Sequence, residues 1–277
     1  MNRKLLLILV LAAAAGAACA AAAPAFAAGT ALADPGRSPN DPAASASAWR
    51  DLQAGANRAD AATLLRAQGA FEALAEADPS SAALRCGVAL ADWRVVPLLL
   101  RQESTRAQAQ AAVESGLAQC EAVLQKQPGH PLALALKGSL QAFLVGLQPE
   151  QAMTMGMESG ANLKRASELA PANPRVQLLE AIYTLHKPGF VGGGADKALP
   201  EFLRAVELFR DDAPGDSTAP AWGRDDALLW AGRAAAQLGR AQEAHDFYRR
   251  AVEANPANGW ARQLLQADST GGSQGRP

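Results

Sequence analysis

The feature that most restricts this chain is a repeated pairing of a proline with a small residue ten positions later: Pro79 with Ala89, Pro128 with Gly138, and Pro171 with Ala181. Apolar pairs precede each proline at helical spacing, Phe71 and Leu74, Cys120 and Val123, Leu163 and Ala166. Proline cannot continue a helix, so it closes one element, and the small residue marks where the next lies against its neighbour. A chain punctuated this way stacks helix pairs. It does not build a sheet.

The fullest copy of the pattern lies near the C-terminus, where Leu228, Ala231, Gly232, Ala235, Gly239, Ala244, Tyr248, Ala251 and Pro256 fall in register. Gly232, Ala244 and Ala251 let two antiparallel helices approach, Leu228 and Tyr248 fill the space between them, Gly239 turns the chain, and Pro256 ends the second helix. This stretch resembles a tetratricopeptide repeat. The resemblance implies an all-α, right-handed superhelix of about four antiparallel helix pairs, with a leading helix and a capping helix around Trp260 to Leu265. Ala198, Phe202 and Ala205 repeat the second-helix pattern without a closing proline. The distances between Val123, Ala166, Ala205 and Ala251 exceed the usual period of about 34 residues. Insertions are therefore expected at 144–150, 186–194 and 211–223.

The order Pro171-Ala172-Asn173-Pro174-Arg175, then Pro188 with Gly192-Gly193-Gly194 and Ala198, then Trp222-Gly223, is similar to a group of exported bacterial tetratricopeptide proteins without an assigned activity. That resemblance covers roughly residues 60 to 265. It implies fold and export and carries over no catalytic residue.

The N-terminus reads as an address. Asn2, Arg3 and Lys4 precede an apolar run beginning at Leu5, and Ala25-Phe26-Ala27 offers small residues for cleavage before Ala28. The expected organisation is a signal peptide over 1–27, an Ala/Pro-rich leader over 28–48, a repeat domain over 49–267 and a disordered tail over 268–277. Lipoprotein anchoring at Cys19 is the competing reading, weakened by Gly16 where a larger aliphatic residue is usual. The expected location is the periplasm or the outside, with no membrane span. There Cys86 and Cys120 have the option of a disulfide or of two buried thiols.

Composition narrows function. Lys and Arg number 26 against 27 Asp and Glu, so no net positive field favours nucleic acid. The Gly192–Lys197 segment lacks the Gly-Lys-Ser/Thr ending of a phosphate loop and reads as a structural turn with Phe190 packed beneath it. Met153, Met155 and Met157 form a thioether cluster, a remote option for Cu(I). His130, His186 and His245 are too dispersed for a zinc site, and no cofactor, metal or catalytic residue is expected.

First helices of tetratricopeptide pairs line a concave face. Counting from the small positions places Trp93, Arg94, Ser139, Phe143, Arg175, Ile182, His186, Arg233 and Gln237 there. The expected function is an exported, non-enzymatic scaffold that binds a cell-envelope peptide or protein in this groove. The alternative is a periplasmic small-molecule-binding accessory of a transporter. The oligomeric state stays open.

Overall fold

The computed structural model describes residues 42–212 and 222–271. Within them the chain forms eleven α-helices and no strand. They are α1 (Pro42–Arg58), α2 (Ala61–Ala77), α3 (Ala82–Leu99), α4 (Arg106–Lys126), α5 (Pro131–Leu147), α6 (Ala152–Leu169), α7 (Pro174–His186), α8 (Ala195–Leu208), α9 (Arg224–Gln237), α10 (Ala241–Ala254) and α11 (Gly259–Gly271). Consecutive helices pack as antiparallel pairs. The odd-numbered helices α1 to α9 also touch one another in succession and form the inner layer.

The prolines work as punctuation in a specific way. Two residues after each of them stands the side chain that caps the following helix. Ser81 accepts from Leu84 N–H, His130 Nδ1 from Ala133 N–H, Asn173 from Arg175 and Val176 N–H, and Asn258 from Ala261 N–H. Each cap satisfies amides that the first helical turn leaves without partners. The freed carbonyls of Pro79 and Pro171 accept Lys126 Nζ at 3.0 Å and Arg204 Nη2 at 3.1 Å from neighbouring helices.

Small residues set the helix separations. A Cβ on Gly138 would lie 2.8 Å from the Ser159 carbonyl oxygen and from Leu163 Cγ, and one on Gly232 would lie 2.5 Å from the Tyr248 ring. Ala89, Ala181, Ala244 and Ala251 are buried. Ser159 Oγ donates to the Gly138 carbonyl at 2.7 Å in the space that the missing side chain leaves. Gly239, at φ 73°, turns α9 into α10.

Three expectations change. The helical region starts at Pro42 rather than 49, because α1 packs Trp49 edge-on against Phe71 at 4.9 Å and makes the leading helix half of a fifth pair. The apolar sequence over 144–147 belongs to α5, and the insertion shrinks to Gln148 and a short 3-10 turn at Pro149–Gln151. Phe190 is 87% exposed instead of packed down. Gly193 N–H donates to the Pro188 carbonyl and Gly194 N–H to the Thr184 carbonyl, so backbone contacts occupy the inner side of that turn and leave Phe190 outside. The cleavage region, Cys19 and residues 213–221 lie outside the described residues. Cys86 and Cys120 are free and buried, without a disulfide.

Gly138→Val is expected to destabilise the fold by about 2 kcal/mol or more through overpacking against a backbone carbonyl. Gly69 has nothing within 4 Å of its would-be Cβ, so Gly69→Ala is expected to gain about 0.5–1 kcal/mol. Urea unfolding of both variants checks the pair of signs.

Candidate functional site

The inner layer carries two groups of aromatic and arginine side chains. In the first, Arg94 on α3 reaches Asp226 at the start of α9 through a paired contact at 3.3 and 2.5 Å. Its guanidinium lies 5.7 Å from the rings of both Trp93 and Trp222. Arg175 on α7 pairs with Asp212 through two hydrogen bonds, 3.0 and 2.8 Å, and lies 5.7 Å from the rings of Phe209 and Trp222. Trp222 thus stands between two arginines, each neutralised by its own carboxylate. Burial would pull the Arg94 guanidinium down, but Asp226 more than offsets this and holds its pKa above the ordinary value.

Asp225, next in the chain, turns to the opposite neighbour. Its Oδ2 accepts Asn255 Nδ2 at 2.7 Å and Asn258 Nδ2 at 2.9 Å, and Asn255 also donates to Asn57 Oδ1 on α1 at 2.8 Å. Burial and the adjacent Asp226 raise the Asp225 carboxyl above its usual range. A Cβ on Gly259 would meet the Asn57 carbonyl oxygen at 2.8 Å. The superhelix therefore curves until its first and last helices meet.

The second group differs. Arg233 on α9 has its guanidinium 4.5 Å from the Trp230 ring and 4.9 Å from the Trp260 ring of α11, and the two indoles meet edge to face at 5.4 Å. Among the described residues no carboxylate pairs with it, and its Nη1 is buried without a hydrogen-bond partner. Burial lowers its pKa to about 10. His186 stacks edge-on to Trp230 at 5.3 Å, with Nδ1 2.8 Å from the Ile182 carbonyl, which fixes the proton on Nδ1. Burial, then the nearby Arg233 charge, keeps this imidazole neutral to lower pH than usual.

The structure thus brings Trp93, Arg94 and Arg175 into the neutralised group, and Ile182, His186 and Arg233 into the second, with Gln237 exposed one turn beyond Arg233. Ser139 is buried and donates to the Ala135 carbonyl at 2.8 Å, and Phe143 packs half-buried against the core. Met155 packs inward while Met153 and Met157 are exposed, so the three thioethers do not share a face. No cluster of three or more His, Cys, Asp and Glu side chains with metal-site geometry occurs among the described residues. The sequence reading missed Trp222, Trp230, Trp260, Asp212 and Asp226. Only the concentration of tryptophan in the last third of the chain signalled them.

No family model matches the chain, and no curated relative matches it. Among solved structures it is similar to the HusA haemophore from Porphyromonas gingivalis, with a TM-score of 0.56 and 23% identity over 69% of this chain and 92% of that one. It is also similar to a thermophilic TPR protein of Thermus thermophilus, with a TM-score of 0.51 and 16% identity over 80% of this chain and 99% of that one. The chain has a tetratricopeptide-type fold. No described helix is long and apolar enough to cross a membrane.

Away from the concave face, the sequence reading also missed Asp92, a fully buried carboxyl on α3. Its Oδ2 accepts Ser115 Oγ at 2.8 Å, its Oδ1 has no partner, and Glu72 adds a like charge. Burial, the main cause, lifts its pKa from 3.8 to about 7. The folded state therefore holds this proton more tightly than the unfolded chain, and the stability it contributes below pH 4 is lost as pH rises toward 7. Asp92→Asn is expected to stabilise the protein at pH 8 by up to roughly 4 kcal/mol, with the gain vanishing near pH 4. Denaturant midpoints of both proteins at the two pH values check this.

Proposed function

We propose that the protein is an exported, non-enzymatic scaffold that docks a peptide or protein segment of the cell envelope on its concave face, at the end formed by α7, α9 and α11. The observation that carries this reading is the contrast between the two side-chain groups. Around Trp222 the cationic and aromatic groups are saturated by the chain's own carboxylates. Around Trp230 the same chemistry is assembled, partly exposed, and without a paired carboxylate among the described residues. Tryptophan and arginine held in fixed stacks are the side chains that most often anchor a protein interface. Export rests on the N-terminal basic and apolar segment.

The second reading is a small-molecule carrier that captures a solute as the accessory of a transporter. It draws on the shared architecture with a haemophore. A pocket for a drug-sized ligand encloses about 300–1,000 Å³. The cleft lined by Glu72, Glu76, Arg85 and Gln119 holds about 200 Å³, and none of the predicted concave-face residues lines it. The Trp230, Arg233 and Trp260 cluster on the inner layer favours docking of a segment.

A photo-crosslinking residue at Gln237 is expected to capture an envelope polypeptide, while the same residue at Glu114, exposed on α4, captures none. Mass spectrometry of the adducts reads the result. Equal capture at both positions, or a bound small molecule in place of a polypeptide, contradicts the reading.

A further inference from the structure

Three arginines of the inner layer share one design. Arg94 lies against Trp93 and Trp222 and is closed by Asp226, and Arg175 lies against Phe209 and Trp222 and is closed by Asp212. Arg233 lies against both Trp230 and Trp260 at shorter ring distances than either, yet its counter-ion is missing among the described residues. The groups facing it do not neutralise it. His186 on α7 is uncharged by virtue of its burial, Tyr248 on α10 is a phenol, and Gln237, one turn further along α9, is exposed and neutral. A guanidinium removed from water without an anion is costly, and a planar carboxylate with two oxygens matches its fork. The two indoles, at 90° to one another, flank the guanidinium, and an incoming anion reaches it from the side they leave open.

We propose that Arg233 is the anchor for an acidic side chain, Asp or Glu, of the docked segment, with the methylene of that side chain against Trp260. The carboxylate completes the third arginine as Asp226 and Asp212 complete the other two. The partner is therefore an acidic peptide segment, and its aspartate or glutamate lies opposite α9 beside α11. Gln237 stands where the amide side chain reaches the backbone flanking that residue. This inference rests on the docking reading above.

The test uses the full chain and two short peptides, acetylated and amidated so that neither carries a terminal charge: one with a central Glu between Ala and Gly residues, the other with Gln in its place. Titration is followed by the indole N–H resonances of Trp230 and Trp260. The Glu peptide is expected to shift both resonances, and the Gln peptide to require at least about tenfold higher concentration for the same shift. Arg233→Gln is expected to abolish the difference between the peptides with the helical circular dichroism unchanged. Arg233→Lys keeps the charge without the fork and is expected to retain part of it. Equal shifts by both peptides overturn the proposal, as does a matching response to a Gln peptide with a free C-terminal carboxylate or to inorganic phosphate alone. Undiminished capture at Gln237 in Arg233→Gln overturns the anchor and leaves docking standing. Absence of capture in the otherwise unaltered chain overturns docking, and the anchor with it.

Discussion

The Arg94–Asp226 pair joins the second helix pair to the fifth across the inside of the superhelix, between residues far apart in sequence. Helical repeats ordinarily touch only their neighbours, so their stability is a sum of local terms. Here a contact between distant repeats ties the curvature down, and the Asn57–Asn255–Asp225 chain of hydrogen bonds repeats the tie from α1 to the C-cap of α10 and the start of α9. Both side chains of the ion pair are largely removed from water, and such a pair requires good geometry to offset its desolvation. The paired contact and the flanking Trp93 and Trp222 rings supply that geometry.

This closure changes what the concave face is. Arg94 and Arg175, which the repeat register places toward a groove, belong to the internal architecture because Asp226 and Asp212 are already on them. A partner cannot use them without breaking two neutralised pairs. On the C-terminal side Trp230, Arg233 and Trp260 bring together the same kinds of side chain, and among the described residues no carboxylate closes them. Fixing the curvature also fixes the spacing of α7, α9 and α11, so under the docking proposal that end is preorganised and little ordering entropy remains to be lost.

The helix pairs were legible because their signals are local. A closing proline and a small residue ten on lie within one turn and one helix, and they recur at Pro79, Pro128 and Pro171, where the structure adds a cap two residues on. Helix α1 was hidden because alanine and serine predominate before Trp49, giving little periodic apolar signal. The site was only half legible. The helical register brought out Arg233 and His186, but a contact such as Arg233 against both Trp230 and Trp260 depends on the angle between α9 and α11, and the Arg94–Asp226 pair depends on the accumulated rotation of the repeats between them. No local pattern encodes either. Phe190 escaped for a related reason, since backbone bonds from Gly193 and Gly194 decide which side of the turn faces the protein.

A double-mutant cycle with Arg94→Met and Asp226→Asn, read by denaturant unfolding, tests the cross-repeat tie most directly. If the pair closes the superhelix, the two changes couple by at least about 1.5 kcal/mol, each single variant already losing most of what the double variant loses. Additivity within about 0.3 kcal/mol would contradict it and would leave the curvature to nearest-neighbour packing alone.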